Sequence, residues 1–204
     1  MNKERHIAVL IPAAGTSSRM GEPKQLLKWK GTNLLGHAVR TAESLKVDEI
    51  AVILGAFSER IKAEITSENI SIYFNPDWEK GLGNSISSGL RQLLNDYPET
   101  DAVLIMLADQ PMIDSSYLEQ LINTFRANEA LIVASTYSDE HFGVPAIFDK
   151  RIFNDIVSLD SEKGAKDLIN SYRTEVLSIS EVPNLVDIDT KDQYEQLYNA
   201  NHQS

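Results

Sequence analysis

Residues 6–27, HIAVLIPAAGTSSRMGEPKQLL, begin as an apolar run and turn abruptly into a loop of small residues with one arginine and one lysine. The run His6–Pro12 reads as a buried strand, because it is continuous in Val, Ile and Leu rather than alternating. The loop is too polar for core. Gly15 and Gly21 permit tight backbone turns, and neighbouring N–H groups can form a concave nest for an anion. Lys24 adds a point charge and Arg19 a forked donor. The plainer alternative is a Ser/Gly loop with solvated cations. The segment matches neither phosphate fingerprint: GTSSRMG is not G-x-G-x-x-G, and no G-K-[ST] follows.

Outward from this stretch, apolar runs alternate with amphipathic ones. NLLGHAVRTAESL (33–45) has helical spacing, with Leu34, Leu35, Ala38, Val39, Ala42 and Leu45 on one side. EIAVILG is a second strand, SERIKAEI a short helix, SIYFNP a third strand and SISSGLRQLLNDY a helix. DAVLIMLAD (101–109) is the most hydrophobic strand and is expected at the centre of a sheet. SYLEQLINTFRAN follows as a helix and ALIVAST as a strand. Continuous apolar strands separated by helices predict a doubly wound, mostly parallel α/β sheet covered on both faces. After Thr136 the pattern loosens. YSDEHFGVPAIFDKRIFNDI reads as turn residues with a short apolar segment, then a helix. KGAKDLINSY reads as a helix, EVLSIS as a strand, and the chain closes with a helix capped near Thr190. With no repeat and no linker, residues 1–204 read as a single domain.

Composition narrows the partners. The 204 residues carry a net charge of −11, which argues against a nucleic-acid polymer. Residues 1–40 hold seven Lys/Arg and two Asp/Glu, a local excess of +5 that suits a small anionic ligand; chance clustering on a solvated face is the alternative. No apolar run is long enough to span a bilayer. The absence of cysteine excludes thiolate metal sites and fits a cytoplasmic enzyme. The four histidines lack metal-ligand spacing, and Trp29 and Trp78 read as packing residues.

Ligands of an open parallel sheet bind at the carboxyl ends of its strands. Asp109 follows seven apolar residues there. A charge in that place is costly unless paired or metal-bound, and Mg²⁺ takes few protein carboxylates; a cap on the following turn is the alternative. In DIDTKDQYEQL, Asp187 and Asp189 flank Ile188 and are expected on one face, with Asp192 or Thr190 capping the helix. Either aspartate suits a second ligand, and a simple turn role is the alternative. In EKGLGNSIS, the N–H groups and the side chains of Asn84 and Ser85 either read a base edge or cap the helix.

PAAGTSSRMGEPKQLL resembles the L-A-[AG]-G-x-S-x-R-M-G-x-x-K-x-L signature of nucleotidyltransferases related to the molybdenum-cofactor guanylyl- and cytidylyltransferases, the molybdopterin-guanine dinucleotide biosynthesis protein A-like family. The likeness runs over essentially the whole chain, through MLADQP, EKGLGNSISSGL, FGVPAIFDKRIFNDIVSLDSEKGAKDLI and DIDTKDQYEQL. It implies the Rossmann-like nucleotide-diphospho-sugar transferase fold. It implies transfer of a nucleoside monophosphate from a nucleoside triphosphate to a phosphate-bearing acceptor, with pyrophosphate leaving. Ala13, Ala14 and Gly15 would wrap the nucleotide, with Gly83, Asn84 and Ser85 on the base side. Lys24 would neutralise developing charge and Arg19 the pyrophosphate, while Asp109 and Asp189 would hold Mg²⁺. Ala14 stands where guanylyl enzymes have glycine, which favours the cytidylyl branch, CTP over GTP, molybdopterin as acceptor and a molybdoenzyme or cofactor-delivery protein as recipient. Two positions depart from the pattern: Pro12 replaces the usual leucine, and Val144 replaces a histidine of the acceptor segment. Sugar- or polyol-phosphate transfer, or a non-catalytic nucleotide-binding protein, are the alternatives.

Overall fold

The computed structural model describes residues 5–17, 20–138, 141–160, 164–179 and 186–202. In chain order the strands are β1 (Ile7–Pro12), β2 (Lys28–Trp29), β3 (Thr32–Asn33), β4 (Glu49–Leu54), β5 (Ser71–Phe74), β6 (Ala102–Ile105), β7 (Ile132–Ser138), β8 (His141–Asp149) and β9 (Val176–Ile179). The helices are α1 (Leu34–Glu43), α2 (Ser58–Ala63), α3 (Leu82–Asp96), α4 (Ser115–Ala127), α5 (Phe153–Val157), α6 (Ala165–Ser171) and α7 (Lys191–His202). Seven strands form one sheet in the order β5-β4-β1-β6-β8-β7-β9, and β2 and β3 form a small antiparallel ribbon.

The expected α/β sheet is present, with β6 in its middle. β1 pairs in parallel with β4 and β6, β4 with β5, and β7 with β9; β8 runs antiparallel to both β6 and β7. Alternation within β1 shows why both faces are apolar. Ile7, Val9 and Ile11 face a core shared with α1, α2 and α4. Ala8 and Leu10 face a second core shared with α3, α5 and α6. Burying each Ile, Val or Leu side chain among these contributes about 1.5–3 kcal/mol. Helix α3 comes unusually close to the sheet through Gly89, where a Cβ would lie 2.4 Å from Ile53 Cδ1.

Two sequence expectations need correction. The "short apolar segment" after Thr136 is the nine-residue strand β8, an internal strand buried from Gly143 to Asp149. Pro145 hid it, since proline removes a ladder hydrogen bond and argues against a central strand. The sheet absorbs it at an irregularity where β7 pairs Ala134 with Ala146 but Ser135 with Gly143. Ser135 Oγ donates to Pro145 O there at 2.7 Å. In addition, β6 ends at Ile105, so Asp109 stands in the following loop rather than at the strand's last residue.

Candidate active site

A cavity of about 460 Å³ opens where β1 and β6 end. Its walls come from the loop Pro12–Ser17, from Lys24 and Gln25, from Leu107–Asp109, from Trp78 and the start of α3, and from Asp189. Ala13 is fixed by its N–H donating to Ile53 O (2.8 Å), and Ala14 O accepts from Ala56 N (2.9 Å). The loop therefore continues β1 past the sheet edge against the end of β4. Gly21 has φ +73°, a left-handed turn that glycine adopts without strain.

The charged part of the site centres on Lys24. Its Nζ donates to Asp109 Oδ2 at 2.5 Å, to Asp189 Oδ1 at 3.2 Å and to the carbonyl of Ile188 at 3.2 Å. Burial pulls the Lys24 pKa down, but Asp109 and then Asp189 outweigh it, so the ammonium is held above its ordinary value. Asp109 and Asp189 come together because Ile188 N donates to Asp109 O (3.0 Å) and the Ile188 side chain is wholly buried against Trp29 and Leu34. The chain end is thus pinned across the loop after β6. Asp109 Oδ1 is buried and has no hydrogen-bond partner among the described residues.

Asp187 is held by different partners from Asp189. It accepts from Gln110 Nε2 at 2.8 Å, and burial, aided by the charges of Asp109 and Asp189, raises its carboxyl pKa. Of the two aspartates, Asp189 lines the cavity. Its N–H and that of Thr190 donate to Gln193 Oε1, each at 2.9 Å, while Thr190 Oγ1 accepts from Gln193 N at 3.3 Å. This reciprocal cap starts α7 at Thr190, as expected, and leaves Asp192 in the first turn.

Among the described residues no three His, Cys, Asp or Glu side chains converge as a metal cage. Two carboxylates with one unsatisfied buried oxygen are nevertheless a fitting donor set for Mg²⁺, which keeps most of its shell for water and substrate phosphate.

The structure brings Ala13, Ala14, Gly15, Lys24, Ser85, Asp109 and Asp189 to one cavity. Gly83 and Asn84 are not on its wall. The segment expected as a base-side loop is the first turn of α3, which begins at Leu82 after Gly81 (φ +107°). Asn84 Oδ1 and Ser85 Oγ both accept from Asn75 Nδ2, at 3.0 and 3.1 Å, so these side chains tie α3 to the end of β5. Trp78, Gly81 and Leu82 line the cavity beside Ser85, so Trp78 is more than packing. Gly55 abuts this wall: a Cβ on it would lie 2.5 Å from Trp78 Cβ and 2.8 Å from Ala14 Cβ. Arg19 lies outside the described residues. Sequence reasoning missed Gln25, Ser17 and Gln193, uncharged residues whose importance comes only from whom they touch.

The profile of the MobA-like NTP transferase domain matches residues 9–176. The purine catabolism protein PucB of Bacillus subtilis is 31% identical over 92% of this chain and 94% of its own length. The crystal structure of Rv0371c from Mycobacterium tuberculosis superposes with a TM-score of 0.83 at 28% identity, covering 97% of this chain and 99% of that one. The structure of Rv0371c in complex with manganese superposes with a TM-score of 0.77 at 26% identity, over 96% and 99%.

Proposed function

The chain belongs to the family of MobA-like NTP transferase domains, and on that premise we propose that it transfers CMP from CTP to the phosphate of a small acceptor, molybdopterin or its molybdenum form, releasing pyrophosphate. The observation that carries the transfer chemistry is the Lys24 ammonium, held between Asp109 and Asp189 at the wall of a cavity also lined by Ala13, Ala14 and Gly15. The reading takes residues 1–204 as one transferase domain.

The acceptor phosphate is already an ionised nucleophile, so the chain needs no general base. The oxygen–phosphorus bond forms at the α-phosphorus as the bond to the pyrophosphate oxygen breaks, and the electron pair leaves with pyrophosphate. The protein's part is positioning and neutralisation of charge. Lys24 remains protonated near neutral pH and meets the phosphates as a cation. The loop amides of Ala14 to Thr16 have no acceptor among the described residues and are available to phosphate oxygens. Arg19 is assigned to the pyrophosphate from its place in the motif. Asp109 and Asp189 would hold a divalent ion, Mg²⁺, which would supply Lewis-acid neutralisation of phosphate charge. The manganese bound by Rv0371c supports a divalent ion in this fold family.

CTP is preferred on this reading because the Ala14 methyl, packed beside Gly55 and Trp78, narrows the wall that a purine would need. A base held by hydrogen bonds is discriminated strongly, since the wrong one leaves buried polar groups unpaired. The test is Mg²⁺-dependent pyrophosphate release with CTP, GTP, ATP and UTP against molybdopterin and simple sugar and polyol phosphates. CTP with molybdopterin should be fastest, and Ala14→Gly should shift the CTP:GTP ratio toward GTP. A preference of the unaltered protein for GTP overturns the base and the branch; release only with a sugar or polyol phosphate overturns the acceptor; no release with any pair leaves a binding protein.

A further inference from the structure

Gln25 has no charge and does no chemistry, yet it is 4% exposed and sits at the centre of the nucleotide loop. Its Nε2 donates to two carbonyls of that loop, Ala13 O and Gly15 O, each at 3.1 Å. Its Oε1 accepts from Ser17 Oγ at 3.3 Å, and the same Ser17 Oγ accepts from Lys24 N at 3.0 Å. Carbonyls can only accept, which fixes the amide orientation, and the serine hydroxyl serves either way. All the hydrogen-bonding groups of the amide are therefore spent on holding residues 13–17 against the turn Lys24–Leu26.

Peptide planarity turns these bonds into a statement about the opposite side of the loop. In a trans peptide, the carbonyl of one residue and the N–H of the next point in opposite directions. With Ala13 O and Gly15 O drawn to Gln25, the N–H groups of Ala14 and Thr16 are turned away from it. Ala14 O is held by Ala56 N, which turns the Gly15 N–H away from that contact in the same manner. None of these three amides has an acceptor among the described residues, and all three residues line the cavity. Ser17 completes the curl with φ +53°, a left-handed conformation uncommon outside glycine. Without Gln25, two inward carbonyls would lose their donor, and the peptide planes would be free to turn.

We infer that Gln25 is the positioning residue of the site: its side-chain amide aims the backbone N–H groups of Ala14 and Thr16 at the phosphates of a nucleoside triphosphate and, through Ser17, sets the start of the turn carrying Lys24. The inference rests on the proposed nucleotide reading of the cavity. It assigns the anion nest formed by residues 13–17 to the buried side chain of Gln25.

The test compares Gln25→Glu and Gln25→Met with the unaltered full chain. Both keep the side-chain length, but at neutral pH neither can donate to two carbonyls. Affinity is measured by calorimetry for inorganic pyrophosphate and for α,β-methylene CTP with Mg²⁺, alongside turnover and the melting temperature. Both affinities should weaken about tenfold or more, and kcat should fall about 10²-fold, the scale for losing a preorganised donor. The Gln25→Glu variant should regain part of the lost affinity as the pH falls, because a protonated carboxyl can donate once; Gln25→Met should not. Ser17→Gly, which accommodates the positive φ and removes the whole hydroxymethyl group, should weaken both ligands in the same direction by a smaller factor. If Gln25 variants fail to fold, Ser17→Gly decides. A folded variant that binds both ligands within twofold of the unaltered protein overturns the inference. Failure of the unaltered protein to turn over any triphosphate while still binding it overturns the transfer reading and leaves the affinity comparison intact.

Discussion

At the residue scale, Lys24 and Asp109 determine one another. The ammonium sits 2.5 Å from Asp109 and 3.2 Å from Asp189, and its side chain is 22% exposed. Lys24→Ala should lower turnover by roughly 10²–10³, or about 2.7–4 kcal/mol of transition-state stabilisation, as read from kcat/KM. Lys24→Arg should not restore it, because a planar fork cannot occupy a point-charge site without moving. A loss of only a few-fold in both would make Lys24 a bystander. Asp109→Asn should abolish metal-dependent turnover. The Asp109 carboxylate is paired with Lys24, so stability should drop as well. The drop should be about 1–3 kcal/mol, the scale of a charge-assisted hydrogen bond, limited because Asp189 and the Ile188 carbonyl still hold the ammonium. Chemical denaturation together with a magnesium-dependence assay checks both halves, and near-normal Mg²⁺-dependent rates would remove Asp109 from the metal site.

At the element scale, α7 holds the cavity-lining carboxylate of Asp189 in place although it contributes no side chain to the cavity wall. Trp29 carries the contact: its ring lies 6.3 Å from that of Tyr198 and 5.0 Å from that of His202, while Tyr194 donates to Lys28 O at 3.0 Å. The helix is thereby docked on the β2–β3 ribbon, and its cap fixes the Asp189 backbone. Gln193→Ala should cost about 1 kcal/mol of stability, a typical loss for a cap. It should also lower kcat by loosening the backbone that positions Asp189. Gln193→Glu keeps the accepting oxygen and should restore both. Equal activity in Gln193→Ala and the unaltered protein would show that the cap does not position the carboxylate. The α3 turn carries the converse lesson. Asn84 and Ser85 look like base readers in sequence; Asn84 Oδ1 and Ser85 Oγ accept from Asn75, and of the two only Ser85 lines the cavity, beside Gly81 and Leu82.

At the scale of the whole molecule, acid stability should depend on the far end of the sheet. Burial raises the Asp149 pKa, but Arg151 and Arg5 outweigh it, so the folded value lies below the ordinary 3.8. A depressed carboxylate adds stability that is fully present above the unfolded pKa and lost as pH falls through the folded one. The melting temperature should therefore fall below about pH 4, and Asp149→Asn, which keeps an acceptor for Arg151 N, should flatten that fall. An unchanged acid profile in the variant would assign the loss to other carboxylates. The sequence by itself determined the alternation of strands and helices, the central place of β6 and the loop after β1, because burial on both faces of a parallel sheet demands continuous apolar runs that are visible one residue at a time. It also exposed Lys24, Asp109 and Asp189 as charges in a matching motif. Only the tertiary structure decided that β8 is an internal antiparallel strand, because a proline in a bulge erases the local signal. Only it separated Asp189 from Asp187, since that choice depends on where Ile188 is buried across the molecule. Gln25 became visible there too, because a neutral amide acquires its meaning from two carbonyls ten and twelve residues away that folding brings within 3.1 Å.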